Sequence, residues 1–296
     1  MTGATEFPRT TKALREALAA RGVLPQKRHG QCFLTDVQAV DAIVRDAAVG
    51  PGDVVVEVGT GTGLLTHALV EAGASVDTFD IDPGVQAVAR SLRTWPERVR
   101  FHTGDVLDGK HALSPDVLAA LASAHGAGPG RAKFVSNLPY NAATPVLLAL
   151  LALPAPPDAV TAMVQLEVAE KLLASPRAEG YGPPSVLRAL QADGRILRRF
   201  PPQVFWPQPK VTSALLRLEP RRPTPFAPGE EPRFATFLLG VFSVRRKVLT
   251  TALRAARPAL SADDAARAVA AAGLPPLARP EEGSPAALLE LFRATA

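Results

Sequence analysis

Two kinds of apolar run alternate along the first two-thirds of the chain. Short β-branched stretches predict buried strands at 53–58, 75–80, 99–102, 132–135 and 159–165. Between them, apolar residues spaced three and four apart predict helices at 64–71, 83–92, 114–124, 143–151 and 167–173. A helix over 13–21 comes first and ends at Gly22 and Pro25. Thr35 and Gln38 fit a capping box that opens a helix to about residue 48. Strand-like segments return at 195–200 and 213–218. Strand–helix alternation of this kind predicts an α/β fold built on a doubly wound sheet. Residues 220–232 are rich in Pro and Arg and read as a linker. Beyond them the pattern is only helical, at 233–243, 245–256, 262–272 and 285–293. The expected organisation is a domain over 1–222, with 1–26 as an N-terminal extension, and a helical domain over 223–296.

In an open α/β sheet, ligands bind outside the carboxyl ends of the strands. Candidate chemistry falls there four times. The first strand runs through Glu57 into Gly59-Thr60-Gly61-Thr62-Gly63 and then a helix. Alternate glycines let the backbone turn tightly against a ligand, and the helix behind offers unpaired N–H groups. The spacing is G-x-G-x-G, not the G-x-G-x-x-G of dinucleotide sites, and matches the loop of methyltransferases that bind S-adenosylmethionine. The second strand ends in Asp80, an acid placed to take both hydroxyls of a ribose; Asp82 competes for that role, and Asp80 lies nearer the strand end. Asp105 follows the third strand and either accepts from an adenine amine or caps a turn. The fourth strand leads into Asn137-Leu138-Pro139-Tyr140, a proline-stiffened loop with a primary amide, a free carbonyl and an aromatic face. An adenine, with its exocyclic amine and flat π-surface, suits that loop.

Charge adds a class of partner. The chain of 296 residues is 47% hydrophobic and 21% charged, an ordinary globular balance. A net charge of +5 permits a polyanionic partner, although abundant Ala, Pro and Arg also suit a GC-rich coding sequence. Basic residues cluster at Lys27-Arg28, where a solvated loop is the competing reading. Arg245-Arg246-Lys247 opens the predicted helix at 245–256, where the dipole disfavours cations; either a phosphate partner compensates or the cluster is a solvated face. Residues 204–211, with Phe205, Trp206 and Lys210, form either a nucleobase-stacking loop or core plus turn. The single cysteine, Cys32, excludes an intrachain disulfide and suits a reducing cytoplasm. The five histidines lack metal-ligand spacing, so no metal is expected. No apolar run is long enough to span a bilayer, and Arg15, Glu16 and Arg21 make the first helix amphipathic rather than a signal peptide.

Assembled in order, these residues resemble the small-subunit ribosomal RNA adenine dimethyltransferases, the KsgA family. The matches are Lys27-Arg28 with Gly30-Gln31 and Phe33-Leu34, the Glu57 to Gly63 loop, Asp80-Ile81-Asp82, Gly104-Asp105 and Asn137 to Tyr140. They continue through Tyr181-Gly182, Phe205 with Pro207, Pro209-Lys210-Val211, and Arg245-Arg246-Lys247. The resemblance implies a Rossmann-like class I S-adenosylmethionine-dependent methyltransferase domain followed by a small all-helical C-terminal domain. It implies cofactor contacts at Cys32, Leu34, Glu57, Gly59, Gly61, Gly63, Asp80, Asp105 and Asn137. It implies catalysis at Asn137, Leu138, Pro139 and Tyr140, with Phe205 on the second face of the base, and RNA contacts at Lys27, Arg28, Lys210, Arg245, Arg246 and Lys247. A cytoplasmic monomer acting on the ribosomal RNA of a small-subunit precursor is expected. Departures are Cys32 where the family usually has Asn, Leu166 where Lys is frequent, Pro183 where a basic residue is common, and Thr212 where Asp is common. The sister family that methylates large-subunit RNA and confers macrolide resistance commonly has Ile at the position of Leu138. Other readings of the same residues are a protein-glutamine methyltransferase, since a glutamine amide poses the same problem to the Asn137 loop, and a non-catalytic RNA-binding assembly factor. The basic aromatic segments argue against the first, and the intact Gly59, Asp80, Asp105 and Asn137 against the second.

Overall fold

The computed structural model describes residues 7–8, 10–25, 31–109, 112–128 and 131–296. The sheet strands are β1 (Val54–Val58), β2 (Ser75–Asp80), β3 (Val99–Thr103), β4 (Ala132–Asn137), β5 (Ala159–Gln165), β6 (Ala192–Phe200) and β7 (Ser213–Pro220). They form one seven-stranded sheet in the order β3-β2-β1-β4-β5-β7-β6. β1 to β5 are parallel to their neighbours, and β7 lies antiparallel on β5 with Ser213 opposite Gln165. The order reverses between β1 and β4, so their carboxyl ends diverge and leave a crevice there. Val55, Val56, Phe134, Val135 and Val160 are buried on the central strands, as a sheet covered on both faces requires.

The helices up to residue 173 are α1 (Thr11–Ala19), α2 (Val37–Asp46), α3 (Leu64–Glu71), α4 (Pro83–Ser91), α5 (Pro115–His125), α6 (Ala143–Leu151) and α7 (Leu166–Leu173). Several starts are chemically marked. Ser114 accepts from Val117 N–H with Pro115 behind it, and Asp82 accepts from Gly84 and Val85 N–H at the head of α4. The helix expected to open at Thr35 opens one residue later: Asp36 accepts from Ala39 N–H at 2.8 Å. Thr35 is held instead by a two-residue ribbon, in which Phe33–Leu34 pairs antiparallel with Phe205–Trp206 and Thr35 N–H donates to Val204 at 3.0 Å.

By compactness the chain forms two units, one of Met1–Ala169 with Gly194–Pro220, the other of Glu170–Asp193 with Arg221–Ala296. The second holds α8 (Pro183–Gln191), α9 (Glu230–Ser243), α10 (Leu249–Ala256), α11 (Ala262–Ala271) and α12 (Pro285–Arg293). The sequence pattern does not predict α8, a short segment that two prolines open; they are tolerated because they occupy the first turn. Within this unit Phe234, Phe237 and Phe292 pack with ring centroids 5.4–6.2 Å apart. Tyr181 donates its hydroxyl to the Gly283 carbonyl at 2.8 Å.

Arg293 clamps Glu230 bidentately, with Nε to Oε1 at 2.8 Å and Nη2 to Oε2 at 2.9 Å. That bond holds the Glu230 carboxyl down to about 2. Its stabilisation is therefore present above the unfolded carboxyl value of about 4.3 and lost as pH falls toward 2. Chemical denaturation should show Arg293→Ala clearly less stable than wild type at pH 7, with the gap narrowing by pH 3. A gap independent of pH would mean that Arg293 acts by packing alone.

Candidate active site

β1, β2 and β4 are neighbours, and the loops that leave their carboxyl ends open on one cavity of about 240 Å³. Gln31, Cys32 and Leu34 also line it. Gly59, Gly61 and Gly63 have φ of +85°, +54° and +79°, where a Cβ is strained. Crowding adds to the demand. A Cβ on Gly59 would lie 3.1 Å from the Asn137 carbonyl oxygen, and one on Gly61 3.2 Å from the Phe33 ring. Gly63 has another role. It heads α3, its Cβ would meet Ala89 and Trp95, and it is not part of the cavity wall.

Asp80 Oδ2 accepts from Gly61 N–H at 2.9 Å, and Oδ1 accepts from Asp82 N–H at 2.9 Å. The carboxylate thus fixes the glycine loop to the end of β2 and lines the cavity. Asp82 does not line it; its carboxylate caps α4 and accepts from the Gln31 amide at 3.2 Å. Helix capping separates the two acids that compete in the sequence. Asp105 lies exposed on the cavity rim and accepts from Leu107 N–H at 3.0 Å, so it caps its own turn and faces the same space.

Asn137 Nδ2 donates to the Cys32 carbonyl at 3.3 Å. A carbonyl only accepts, so this contact fixes which end of the amide faces it. Asn137 Oδ1 is left in the cavity wall with no partner among the described residues. Leu138 is buried, and its N–H donates to Met163 at 3.1 Å, which anchors the loop to β5. Pro139 touches the space above Gly59. Tyr140 is half-buried in the wall, its hydroxyl 3.1 Å from Ser213 Oγ. Burial pushes the Tyr140 phenol above its ordinary value, and the Ser213 bond offsets part of that. The Cys32 thiol is also pushed up by burial, which keeps it a thiol rather than a nucleophilic thiolate.

Three further expectations change. Phe205 is 2% exposed, stands opposite Leu34 in the ribbon and packs in the core, outside the cavity wall. In a paired strand alternate side chains take opposite faces, and the register assigns the outer face to Trp206. Trp206 stacks on Phe33 at 6.4 Å with the Arg15 guanidinium 5.0 Å from its ring. Arg245, Arg246 and Lys247 do not open a helix; they form the exposed turn before α10, and none has a side-chain partner among the described residues. Lys210 is likewise exposed and without a partner among them, whereas Lys27 and Arg28 lie outside the described residues. The third change is Glu57, which is fully buried and lies outside the cavity wall. Its Oε2 accepts from the Thr66 hydroxyl at 2.6 Å, and its Oε1 has no partner among the described residues. Two further groups are not singled out in the sequence. Ile81, within the Asp80-Ile81-Asp82 match, lines the cavity, and Ser213 hides a hydroxyl at the head of an apolar strand. Among the described residues no group of His, Cys, Asp and Glu could hold a metal ion.

Burial pushes the Glu57 carboxyl up to about 8, with the Asp80 charge adding to it and hydrogen bonds from Thr66 and Thr78 opposing it. The folded protein then keeps a proton there that the unfolded chain releases near pH ~4.3. Stability attributable to Glu57 should fall between about pH 4.3 and 8 by up to about 1.4 kcal/mol per pH unit, and no further above that. Denaturation of Glu57→Gln across that range should show a flatter profile and higher stability at pH 8 than wild type. Parallel profiles would mean that Glu57 is ionised in the fold.

Residues 24–270 match the family described as "Ribosomal RNA adenine dimethylase". A protein of Phenylobacterium zucineum named "Ribosomal RNA small subunit methyltransferase A" is 38% identical over 272 residues, covering 92% of this chain and 88% of its own. One of Nocardia farcinica with the same name is 41% identical over 280 residues, covering 93% of this chain and 92% of its own. Among solved structures, a dimethyladenosine transferase from Plasmodium falciparum superposes with a TM-score of 0.69 at 20% identity, covering 88% of this chain and 95% of that one. The 23S rRNA methyltransferase ErmE superposes with a TM-score of 0.60 at 22% identity, covering 89% and 99%. At those identities the two structures speak for the fold alone. With the family match spanning most of its length and two relatives near 40% identity over nine-tenths of it, the chain belongs to the ribosomal RNA adenine dimethylase family.

Proposed function

We propose that the protein transfers methyl groups from S-adenosylmethionine to the exocyclic amine of adenosines in small-subunit ribosomal RNA, dimethylating two adjacent adenosines during ribosome biogenesis. The observation that carries this reading is the Asn137 amide, turned by the Cys32 carbonyl so that a neutral acceptor faces the cavity that Asp80 and Asp105 line. The small-subunit assignment rests on the names of the relatives.

The residues present fit the cofactor. Asp80 lines the cavity at the end of β2, and a carboxylate is an acceptor with two oxygens, which suits a ribose diol. Asp105 suits the cofactor's adenine amine, Ile81 its flat face, and Gly59, Gly61 and the segment Cys32 to Leu34 the remainder. Gly63 and Glu57 would support that site from behind by packing and by hydrogen bonding to Thr66. When bound, the cofactor supplies an electrophilic sulfonium methyl group.

An adenine amine is a poor nucleophile because its lone pair is delocalised into the ring. Asn137 Oδ1 and the Leu138 carbonyl would accept its two hydrogens and leave the lone pair directed out of the ring plane. Tyr140 would hold one face of the base. The methylated nitrogen is an acidic ammonium that loses its proton to solvent, so no strong base is needed. Catalysis is then mainly positioning and electrostatic complementarity. The target base must leave its stack to enter. The part from 223 onward would contact RNA, with Arg245, Arg246 and Lys247 gripping phosphates alongside Lys27, Arg28 and Lys210.

Incubating the protein with labelled cofactor and purified small or large ribosomal subunits, then mapping the labelled base, tests the reading. Label on small-subunit adenosines supports it; label on the large subunit alone, or on protein, overturns it. In the same assay Asn137→Ala should remain folded and lose on the order of a hundredfold in turnover. Asp80→Ala should weaken cofactor binding by roughly 1.5–3 kcal/mol in calorimetry.

RNA affinity should fall steeply with salt. Replacing Arg245 and Arg246 together by Ala should reduce the log–log salt slope by about 0.7–0.9 for each phosphate no longer neutralised, while cofactor affinity stays unchanged. An unchanged slope would move the RNA grip to Lys27, Arg28 and Lys210.

A further inference from the structure

Ser213 is fully buried at the first position of β7, followed by Ala214, Leu215 and Leu216, all buried. A buried hydroxyl in such a strand costs stability unless it is hydrogen-bonded. Its side-chain partner among the described residues is the Tyr140 hydroxyl at 3.1 Å. Tyr140 and Ser213 are 73 residues apart in sequence, so the bond ties the tip of the cavity loop to a strand two places away in the sheet. The loop is held three times by groups outside it. The Cys32 carbonyl holds Asn137, the Met163 carbonyl holds Leu138, and Ser213 holds Tyr140. The first two fix the acceptors. Of the three, only the third reaches the Tyr140 ring.

We propose that Ser213 is a positioning residue for methyl transfer: its hydroxyl sets the orientation of the Tyr140 ring against which the target base is held. This rests on the adenosine reading above and goes one step further, because it separates the two transfers. In each, the amine nitrogen forms a bond to the methyl carbon, the carbon–sulfur bond breaks with its electron pair going to sulfur, and the nitrogen loses a proton. The first transfer starts from two N–H donors facing two acceptors. The second starts from one, because a methyl group has replaced a hydrogen. With one hydrogen bond fewer, the second transfer depends more on the ring. Loss of the Ser213 bond should therefore slow the second methylation more than the first.

The experiment compares wild type, Ser213→Ala, Tyr140→Phe and the double variant on small subunits, with nucleoside mass spectrometry separating monomethyl- from dimethyladenosine. Each single variant should lower turnover roughly two- to tenfold, the effect of one neutral hydrogen bond. The double variant should be no slower than the worse single variant, because both remove the same bond. Cofactor affinity should be unchanged. At equal total methyl incorporation, the monomethyl fraction should rise above that of wild type. A role in folding alone would lower the amount of active enzyme and leave that ratio unmoved. If Ser213→Ala fails to fold, Tyr140→Phe removes the same bond and carries the test. Additive losses in the double variant, or a wild-type product ratio in Tyr140→Phe, would overturn the proposal. Wild type that methylates no adenosine would instead overturn the proposed function, so the two failures are distinguishable.

Discussion

The site depends on how closely two diverging strand ends can approach. β1 and β4 lie side by side in the sheet, yet their loops must turn apart to leave a crevice. Gly59 comes so near the Asn137 carbonyl that an added Cβ would sit at 3.1 Å. The glycine loop and the Asn137 loop are therefore one packed object rather than two neighbouring motifs. The Asp80 carboxylate locks one side of it through Gly61 N–H, and the Cys32 carbonyl locks the other through Asn137 Nδ2. Displacing any of these segments would move the acid and the amide together.

Three acids close to that object carry different burdens. Asp80 is buried and accepts from two backbone N–H groups. Asp82 spends its acceptors on the head of α4. Glu57 accepts from the Thr66 hydroxyl, its Oε1 has no partner among the described residues, and burial holds it protonated at neutral pH. A second full charge beneath the loop would repel Asp80 in a poorly screened interior. A neutral acid there supports the loop without competing with the Asp80 carboxylate.

Strand positions, the glycine loop, Asp80, Asp105 and the Asn137 loop were legible because each depends on local pattern or on a strand end. The roles of Phe205 and Trp206 were not. They are adjacent aromatics, and which of them faces the core is decided by pairing with Phe33 and Leu34, more than 160 residues away in sequence. A slip of one residue in that ribbon would exchange them. Arg245 to Lys247 were misplaced for a different reason. Their apolar neighbours keep helical spacing on both sides of the turn, so periodicity runs through a break that only the caps reveal. Glu57 sits in a motif that marks cofactor loops, but motif membership does not say which of its side chains face inward. Ser213 was silent because a serine among apolar residues has no sequence signal until its partner is known.

The Cys32 position shows how such a contact tolerates substitution. The atom that orients Asn137 is a backbone oxygen, which every residue type supplies. What must be kept is the path of the chain through that point. Leu34 opposite Phe205, Phe33 opposite Trp206 and the Thr35 bond to Val204 fix that path. Buried Phe205 is thus tied to the cavity through the main chain: it holds the ribbon that holds the carbonyl that turns the amide. An aromatic side chain in the core and an acceptor in the cavity are connected by main chain alone. The Cys32 side chain is therefore free to vary in type while its carbonyl keeps the contact, and its half-buried thiol, pushed up by burial, lines the cavity wall.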